Sequence, residues 1–482
     1  FQILLDAGAF QGSCADEKNR APLDFDPRAV KVLFLSHAHL DHIGRIPTLV
    51  QRGFEGEIVA TPATRELAEV ILNDSLKIQE EDGGGLFGPE DVKKALSLFV
   101  AVSGEYPVYT EATSGLSVRF IPSEHILGSA SIFIESPISL LYTGDLGGEN
   151  SSMHSIPMPP VSCDYLIIES TYGDKGNTSN KEGTTDKIIE LVELVTKNKS
   201  KLLLPVFSVD RAAEILIRLK VAGVNIPVFL DTPMGVTVLG IYARNKFLLS
   251  KISTKLLQSS GEAGNGVYPE QFESIKTKSA SKALVTRDGP CVILSSSGML
   301  EGGRVREHLP NILPDAKNSI AFTGYQSIGT LGRRIADGAK RVDIDGIDVQ
   351  VNCNVQTLDG LSAHADKNGL LFYIASMTFV PKMVFIVHGD RDVSEGLADS
   401  ITHRFKIRAK VPEHNESVSI IDGVPEQRGA GVSTEGATLK FIEYMGREVA
   451  PFVGGIQKIR NELKLIPASV MEQWAQQKST VV

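Results

Sequence analysis

The feature that most constrains this chain is the segment LSHAHLDHIG at residues 35–44, which follows the apolar run VLF. Three histidines and one aspartate fall within six positions, in a chain that has only ten histidines. His37 and His39 are two residues apart, so in an extended segment their side chains point to the same side and can reach one metal ion. Asp41 and His42 follow where DHIGRIPTLVQRG can begin a helix, which turns them toward a neighbouring point. This short segment therefore predicts ligands for two metal ions.

Further ligands must come from elsewhere, and three candidates lie in turns or at strand ends. They are His125 in PSEHILGSAS, Asp145 in LYTGDLGG and His388 in VFIVHGD. Together with the first segment they make five histidines and two aspartates. Imidazole and carboxylate ligands without a thiolate suit zinc or a similar divalent ion. The four cysteines are far apart and form no CxxC pair, which argues against a cysteine zinc site and a disulfide framework and fits a reducing cytoplasm.

Composition indicates an ordinary globular protein of two or three domains, with 482 residues, 42% hydrophobic and 22% charged. No apolar run approaches the roughly 20 residues that span a bilayer, so we expect no membrane segment. The net charge of -9 alone weighs against a nucleic-acid partner, since phosphate contacts need Lys and Arg. From Tyr242 to Lys282, however, seven Lys and Arg stand against three Glu.

The pattern along the chain predicts one domain inserted into another. Short strand-like runs dominate the first part, helices alternate with strands from Thr184, and the first style returns after about residue 342. The chain opens on FQILLDAGAFQG, which predicts a strand whose partner lies upstream. The predicted divisions are residues 1–180 and 346–428 for the two parts of one domain, 181–345 for the insert, and 429–482 for a C-terminal extension of unknown role.

Several longer motifs resemble those of a known family. SHAHLDH, HILGSA and YTGDLG are similar to the ligand motifs of the metallo-β-lactamase superfamily. IIESTYG, LPVFSVDRAAEIL, SSSGMLEGGR, FTGYQSIGTLGR, GLSAHAD and VHGD resemble its β-CASP branch, which contains RNA-processing nucleases. The resemblance runs from about Leu5 to about residue 425. It implies an α/β fold in which an αββα metallo-β-lactamase domain carries an inserted α/β β-CASP domain.

The same resemblance implies two Zn²⁺ ions and a role for each ligand. It assigns His37, His39 and His125 to one ion, Asp41, His42 and His388 to the other, and Asp145 to the bridge between them. Glu169 matches the acid of motif A and His364 the histidine of motif B. DNA-directed members typically lack the motif C histidine, here His388, so its presence implies an RNA substrate. The chain departs from the family's FALGRAQE, since Asp210 stands for a Gly and Ala213 for a Gln.

The predicted chemistry is hydrolysis of a phosphodiester held between two metal ions. Asp145 would bridge the ions and orient the attacking hydroxide. His364 is the natural proton donor to the leaving oxygen, because imidazole titrates near physiological pH, and Glu169 would fix its tautomer. The predicted substrate-binding residues are Gly298, which lets backbone approach a ligand, Arg304, which can grip phosphate, and Ser362 in GLSAHAD.

We therefore expect a cytoplasmic zinc-dependent ribonuclease that cleaves single-stranded RNA internally and could also act as a 5′-to-3′ exonuclease. One alternative is a metallo-hydrolase of the same fold that acts on a small thioester or lactam, although such an enzyme has no need of a second domain. Another is a non-catalytic RNA-binding scaffold, against which the full ligand set argues. The segment KFIEYMGREVAPFVGGIQKIRNELKLI fits either a helix pair that forms a homodimer or a packed tail.

Overall fold

The computed structural model of the protein describes most of the chain up to residue 440. It covers residues 2–10, 15–81, 83–102, 108–111, 116–135, 138–160, 162–174, 181–249, 268–324, 326–327, 329–358, 360–421, 424–427 and 437–440. Within these ranges the strands form three large sheets and two small ones. None of the helices described there is long and apolar enough to cross a membrane.

The first sheet is parallel and comes from the start of the chain. Its strands, in spatial order, are β1 (Gln2–Leu5), β2 (Val30–Phe34), β3 (Glu57–Ala60) and β4 (Phe99–Ala101). Its helices are α1 (Ala15–Arg20), α2 (Leu40–Ile43), α3 (Ile46–Gln51), α4 (Pro62–Glu81) and α5 (Pro89–Ser97). Side chains alternate along β2, so Leu33 packs with Leu49 and Leu67 of the helices. Val32 and Phe34 point the other way, into a second cluster.

The second sheet has seven strands and shares that second cluster with the first. The chain turns back and forth through β5 (Val108–Glu111), β6 (Leu116–Pro122), β7 (Ala130–Glu135) and β8 (Leu140–Tyr142). The sheet continues in parallel through β9 (Tyr165–Glu169), β18 (Met383–Val387) and β19 (Arg408–Lys410). Ile132 packs with Phe34 between the sheets, while Phe133 packs with Leu370 on the outer side. The outer helices are α12 (Lys367–Ala375) and α13 (Arg391–Phe405).

A separate sheet of six parallel strands forms between β9 and β18. Its strands are β10 (Lys201–Pro205), β11 (Val228–Asp231), β12 (Phe272–Ser274), β13 (Cys291–Ser295), β14 (Ser319–Phe322) and β17 (Asn354–Thr357), in the order β12-β11-β13-β10-β14-β17. The helices are α6 (Lys181–Asn198), α7 (Arg211–Val221), α8 (Pro233–Arg244), α9 (Lys278–Val285), α10 (Val305–Ile312) and α11 (Leu331–Ala336). The strand β13 is buried along its whole length, as expected for a parallel strand covered by helices on both faces.

The remaining elements are short. Two helices are of the 3-10 type, at Pro27–Ala29 and Lys246–Leu248. A hairpin joins β15 (Arg341–Ile344) to β16 (Ile347–Gln350). The last described strands are β20 (Ser417–Ile421), β21 (Val424–Gln427) and β22 (Ala437–Lys440).

The predicted fold class is confirmed, because two sheets packed between helices are interrupted by a separate α/β unit. The division of the chain into domains stays a prediction, and β17 pairs with β14 of the inserted sheet although it follows residue 345. Apart from β22, the extension at 429–482 lies outside the described residues. The segment for which a dimer-forming helix pair was one interpretation therefore also lies outside them, except for its first residue.

Candidate metal centre

The segment that carries the first four candidate ligands leaves the carboxyl end of β2. The backbone of His39 is extended (φ -64°, ψ 151°) and α2 begins at the next residue. His37 and His42 are fully buried. The change from extended chain to helix between His39 and Asp41 is the local structure that the sequence predicted. It directs the side chains of His37 and His39 to one point and those of Asp41 and His42 to a neighbouring point.

Four residues converge at the first of these points. The Nε2 atom of His37 lies 3.0 Å from Nδ1 of His39, and Nε2 of His125 lies 3.2 Å from the same atom. The Oδ2 atom of Asp145 is 3.5 Å from His37 Nε2 and 3.4 Å from His125 Nε2. One ligand atom of each residue lies within 4.8 Å of the others, so three nitrogens and one carboxylate oxygen form a compact group.

The second point lies on the other side of Asp145. Asp41, His42 and His388 also bring one ligand atom each within 4.8 Å of one another. His388 Nε2 is 3.6 Å from Asp41 Oδ2. The Oδ1 atom of Asp145 lies 3.4 Å from His42 Nε2 and 3.4 Å from His388 Nδ1. The two oxygens of one carboxylate therefore face two different ligand groups.

Both groups have the chemistry of divalent-metal sites. The ligand atoms of one tetrahedral zinc ion, each about 2.0–2.2 Å from the metal, lie about 3.3–3.5 Å from one another, close to the separations seen here. Among the residues that the structure describes, the buried atoms His42 Nε2 and Asp145 Oδ1 have no hydrogen-bond partner. Since a buried polar atom without a partner is costly, a cation bound between these two atoms, which lie 3.4 Å apart, would satisfy both. The residues therefore fit two divalent ions that share Asp145.

Burial and charge set the protonation of the cluster. Burial lowers the pKa of His37 and of His125 well below the usual imidazole value, so both are neutral and can offer a lone pair to a metal. Burial would raise the pKa of Asp145, but the nearby His388 and His42 hold it well below its usual range. Burial would lower the pKa of His42 and of His388 as well, but Asp145 raises both. The first group therefore offers neutral imidazoles beside an ionised carboxylate, whereas a metal ion at the second group must displace protons from His42 and His388.

Sequence reasoning missed Asp6, which lies directly after β1 and holds the second group in place. It is 3% exposed, and its Oδ1 accepts a hydrogen bond from the Ser36 amide (2.7 Å). Its Oδ2 lies 2.6 Å from Ser36 Oγ, 2.7 Å from His42 Nδ1 and 2.7 Å from the Tyr142 hydroxyl. An aspartate that orients the ring of a metal-binding histidine fixes its tautomer. The only signal was an aspartate at a strand end in LLDAG, a pattern too common to single out.

Other polar groups contact three more rings at Nδ1. The Ser36 hydroxyl lies 3.0 Å from His37 Nδ1, the Ala363 carbonyl oxygen lies 3.3 Å from His125 Nδ1, and the Thr171 hydroxyl lies 2.9 Å from His388 Nδ1. These contacts leave Nε2 of His37 and of His125 directed toward the shared Asp145. Because a carbonyl oxygen can only accept, the Ala363 contact keeps the hydrogen of a neutral His125 ring on Nδ1 and leaves Nε2 to bind a metal.

His364 and Glu169 lie beside the cluster, as the sequence predicted. Residues 363–365 run antiparallel to residues 146–148, which brings His364 next to the segment that carries Asp145. His364 Nδ1 is 3.2 and 3.1 Å from the two oxygens of Glu169 and 3.7 Å from Asp145 Oδ2. Glu169 is fully buried and also accepts the amide hydrogens of Leu146 (2.7 Å) and Thr171 (3.3 Å). The His364 side chain is 12% exposed, so substrate can reach it.

The three predicted substrate-binding residues have different surroundings. Ser362 Oγ accepts the amide hydrogen of His364 (3.1 Å), so it helps to position that residue. Gly298 follows β13, and a Cβ added there would lie 3.0 Å from the ring of Phe207. Contact of Ser362 and of Gly298 with a substrate stays a prediction.

Arg304 is held inside the six-stranded domain and does not join the cluster. Its Nη1 donates to Asp231 Oδ1 (2.8 Å) and to the carbonyl of Ile275 (3.0 Å), and its Nη2 donates to the carbonyl of Lys276 (3.1 Å). The same Asp231 lies 2.8 Å from His308 Nε2. These contacts give Arg304 a set of structural partners, and its contact with phosphate stays a prediction.

Comparison with known proteins shows which family this chain belongs to. Residues 3–196 match the metallo-beta-lactamase superfamily, residues 214–335 the Beta-Casp domain, and residues 348–412 the Zn-dependent metallo-hydrolase RNA specificity domain. Ribonuclease TTHA0252 of Thermus thermophilus is 37% identical over 396 residues, which are 81% of this chain and 88% of that protein. Transcription termination factor FttA of Methanocaldococcus jannaschii and that of Methanococcus maripaludis are each 30% identical over 441 residues, 87% of this chain and 68% of theirs. The chain matches the Thermus thermophilus ribonuclease along 88% of that protein, and its candidate ligands gather around Asp145. The chain therefore belongs to the β-CASP family of the metallo-β-lactamase superfamily.

Proposed function

We propose that the protein is a two-zinc ribonuclease that hydrolyses phosphodiester bonds in single-stranded RNA, as an endonuclease that could also act as a 5′-to-3′ exonuclease. The observation that carries the proposal is the pair of ligand groups that share Asp145, with His364 beside them. The match to an RNA specificity domain and the name ribonuclease on a relative support RNA as the substrate. A cytoplasmic location and a homodimer stay predictions from the sequence.

The metal ions would supply Lewis-acid chemistry, because two Zn²⁺ ions stabilise charge on phosphoryl oxygens and make water acidic enough to attack at neutral pH. Asp145 would hold one ion with each oxygen. The other ligands would be His37, His39 and His125 on one side and Asp41, His42 and His388 on the other.

His364 is proposed to donate the proton that the leaving oxygen needs. Its Nδ1 faces both oxygens of Glu169, so a neutral ring carries its hydrogen on Nδ1 and leaves Nε2 to exchange a proton with the substrate. Glu169 is itself fixed by two backbone amides, which keeps the ring in one orientation. Such a positioned imidazole typically contributes about 10²–10⁴-fold to the rate.

The test is cleavage of a labelled single-stranded RNA by zinc-loaded protein, with a blunt duplex and a single-stranded DNA of the same sequence as comparisons. We expect rapid cleavage of the single strand, slow cleavage of the duplex because it is too wide for a buried centre, and loss of activity when a chelator removes the metal. Absence of RNA cleavage by zinc-loaded protein, or equal rates on the duplex, would overturn the proposal.

A further inference from the structure

Helix α7 of the inserted domain begins against the segment that follows Asp145. The Ser152 amide donates to both oxygens of Glu214 (3.0 Å each), and Arg218 Nη2 donates to the Asn150 carbonyl (2.6 Å). Because residues 146–148 of the same segment pair with residues 363–365, these contacts place the start of α7 near the His364 side of the metal centre.

Arg211, the first residue of α7, is a partly buried cation without a partner. Within the part of the chain that the structure describes, its side chain makes no hydrogen bond or ion pair, and its Nε atom is fully buried. Burial also lowers the pKa of its guanidinium, although Asp210 and Glu214 act in the opposite direction. Only Nε is fully enclosed and the residue is half-buried, so its Nη groups can receive an anion such as a phosphate.

The carboxylates nearest in sequence are committed to other groups. Asp210 Oδ1 lies 3.0 Å from His154 Nε2 and accepts the Tyr242 hydroxyl at 3.0 Å. Glu214 Oε1 accepts Arg218 Nε at 2.6 Å. Neither carboxylate forms an ion pair with Arg211, so its charge stays available for a ligand.

The backbone at the start of α7 offers no further group to a ligand. Asp210 occupies the N-cap position, and its side chain is turned toward His154 and Tyr242 and makes no capping hydrogen bond. The Arg211 amide donates to the Val209 carbonyl (2.8 Å), and Ala212 and Ala213 are buried. The guanidinium of Arg211 is therefore the group that a ligand would meet.

Tyr172 agrees with this placement. Its ring centroid lies 5.9 Å from that of His364, and after burial, Asp210 and Glu214 it also contributes to the pKa of the Arg211 guanidinium. The hydrogen bonds from α7 to residues 150–152, and the pairing of residues 146–148 with residues 363–365, put the start of α7 on the His364 side of the metal centre. This is the side where the leaving group would receive its proton.

We infer that the guanidinium of Arg211 binds the RNA phosphate next to the scissile one on the leaving-group side. The inference rests on the proposed ribonuclease function. A guanidinium suits a phosphate because its planar fork can donate two parallel hydrogen bonds. By holding the leaving strand, the contact would align the leaving oxygen with His364.

The test combines a protein variant with a neutralised substrate. The cleavage site is first mapped on an unmodified single-stranded RNA, and then a single methylphosphonate replaces the neighbouring phosphate on either side. We expect Arg211→Gln to lower kcat/KM by about 10–100-fold, with unchanged zinc content and an equal or higher melting temperature, since it removes an unpaired buried charge. Arg211→Lys should keep part of the activity. The matched control is Arg28→Gln, since Arg28 is exposed, pairs with Asp26 and precedes the opposite end of β2.

The inference is tested by whether the substitution of Arg211 and the methylphosphonate act independently on kcat/KM. A methylphosphonate on the leaving-group side should slow the wild-type protein as much as Arg211→Gln does, and should slow Arg211→Gln little further. The inference would be overturned if the two losses in kcat/KM multiplied in full, or if Arg211→Gln kept the wild-type kcat/KM. It would also be overturned if a fall in melting temperature and zinc content accounted for the lost activity. If the wild-type protein leaves the unmodified RNA uncut, the proposed function itself fails.

Discussion

Asp6→Asn is a nearly isosteric change that should disrupt the second ligand group without replacing any of the proposed metal ligands. Asparagine tolerates the backbone of this position (φ 58°) better than most residues. The new amide, however, has one oxygen where the carboxylate has two. In the first orientation its NH₂ group replaces Oδ2, which faces His42 Nδ1, the Ser36 hydroxyl and the Tyr142 hydroxyl.

The hydroxyls can rotate to accept a hydrogen bond, but His42 can do so only by moving its hydrogen from Nδ1 to Nε2. Nε2 faces Asp145 and is the atom offered to the metal, so the new tautomer blocks the ligand. In the flipped orientation the NH₂ group meets the Ser36 amide hydrogen, which cannot rearrange. Either mismatch costs about 1–3 kcal/mol, which is roughly 5- to 150-fold in an equilibrium constant.

The first orientation should lower the affinity for the second of the two proposed zinc ions, and the flipped one should lower the free energy of unfolding of the metal-free protein. Zinc titration against a competing chelator and thermal melting after metal removal measure the two quantities. Asp26→Asn is the control, because Asp26 is exposed and pairs with Arg28. If Asp6→Asn bound two zinc ions with wild-type affinity and melted at the wild-type temperature, the assignment of Asp6 as the group that fixes His42 would be wrong.

Four other substitutions test the candidate site, three at its own residues and one at a glycine that packs against α2. His364→Ala should lower kcat by about 10²–10⁴-fold with normal zinc content and recover on a nitrophenyl phosphodiester, whose leaving group needs little protonation; loss of zinc would assign the acid role elsewhere. His388→Ala should lose both zinc and activity without such rescue, and a normal zinc content would remove it from the ligand set. Asp145→Ala should weaken both ions by at least about 10–100-fold, so two tightly held zinc ions would refute the bridge. Gly8→Ala would place a Cβ 1.5 Å from the Asp41 carbonyl oxygen and should lower both stability and zinc affinity; a variant with neither loss would show that α2 can shift freely.

The sequence was most informative where the chemistry is concentrated in short motifs. His37, His39, Asp41 and His42 could be singled out because four residues able to bind a metal fall within six positions, and a strand followed by a helix directs them to two points. Asp145 and the other candidates were recognisable by resemblance, and the structure brings them to the same place. Their roles as ligands stay proposals.

Contacts between distant residues could not be predicted in this way. The partners of Asp6 lie 30, 36 and 136 positions away, and no local pattern shows that four groups will meet one carboxylate. Arg304 in a glycine-rich motif suggested a phosphate contact, but its partner Asp231 is 73 positions earlier. That Arg211 Nε has no hydrogen-bond partner among the described residues is likewise a property of the folded chain alone.

The pairing of β9 with β18 has a consequence for how the protein matures. Val387 lies opposite Glu169 in this parallel pair, and the six-stranded domain is synthesised between the two strands. A nascent chain that ends with that domain already contains His37, His39, His125 and Asp145, yet it lacks both His364 and His388. Domains generally fold as units, and the two-sheet domain is complete only when β18 and β19 join β9. The candidate metal centre would therefore form after the inserted domain has been synthesised, together with His364 and His388, and the chain would be unable to cut RNA until its last strands had joined the sheet.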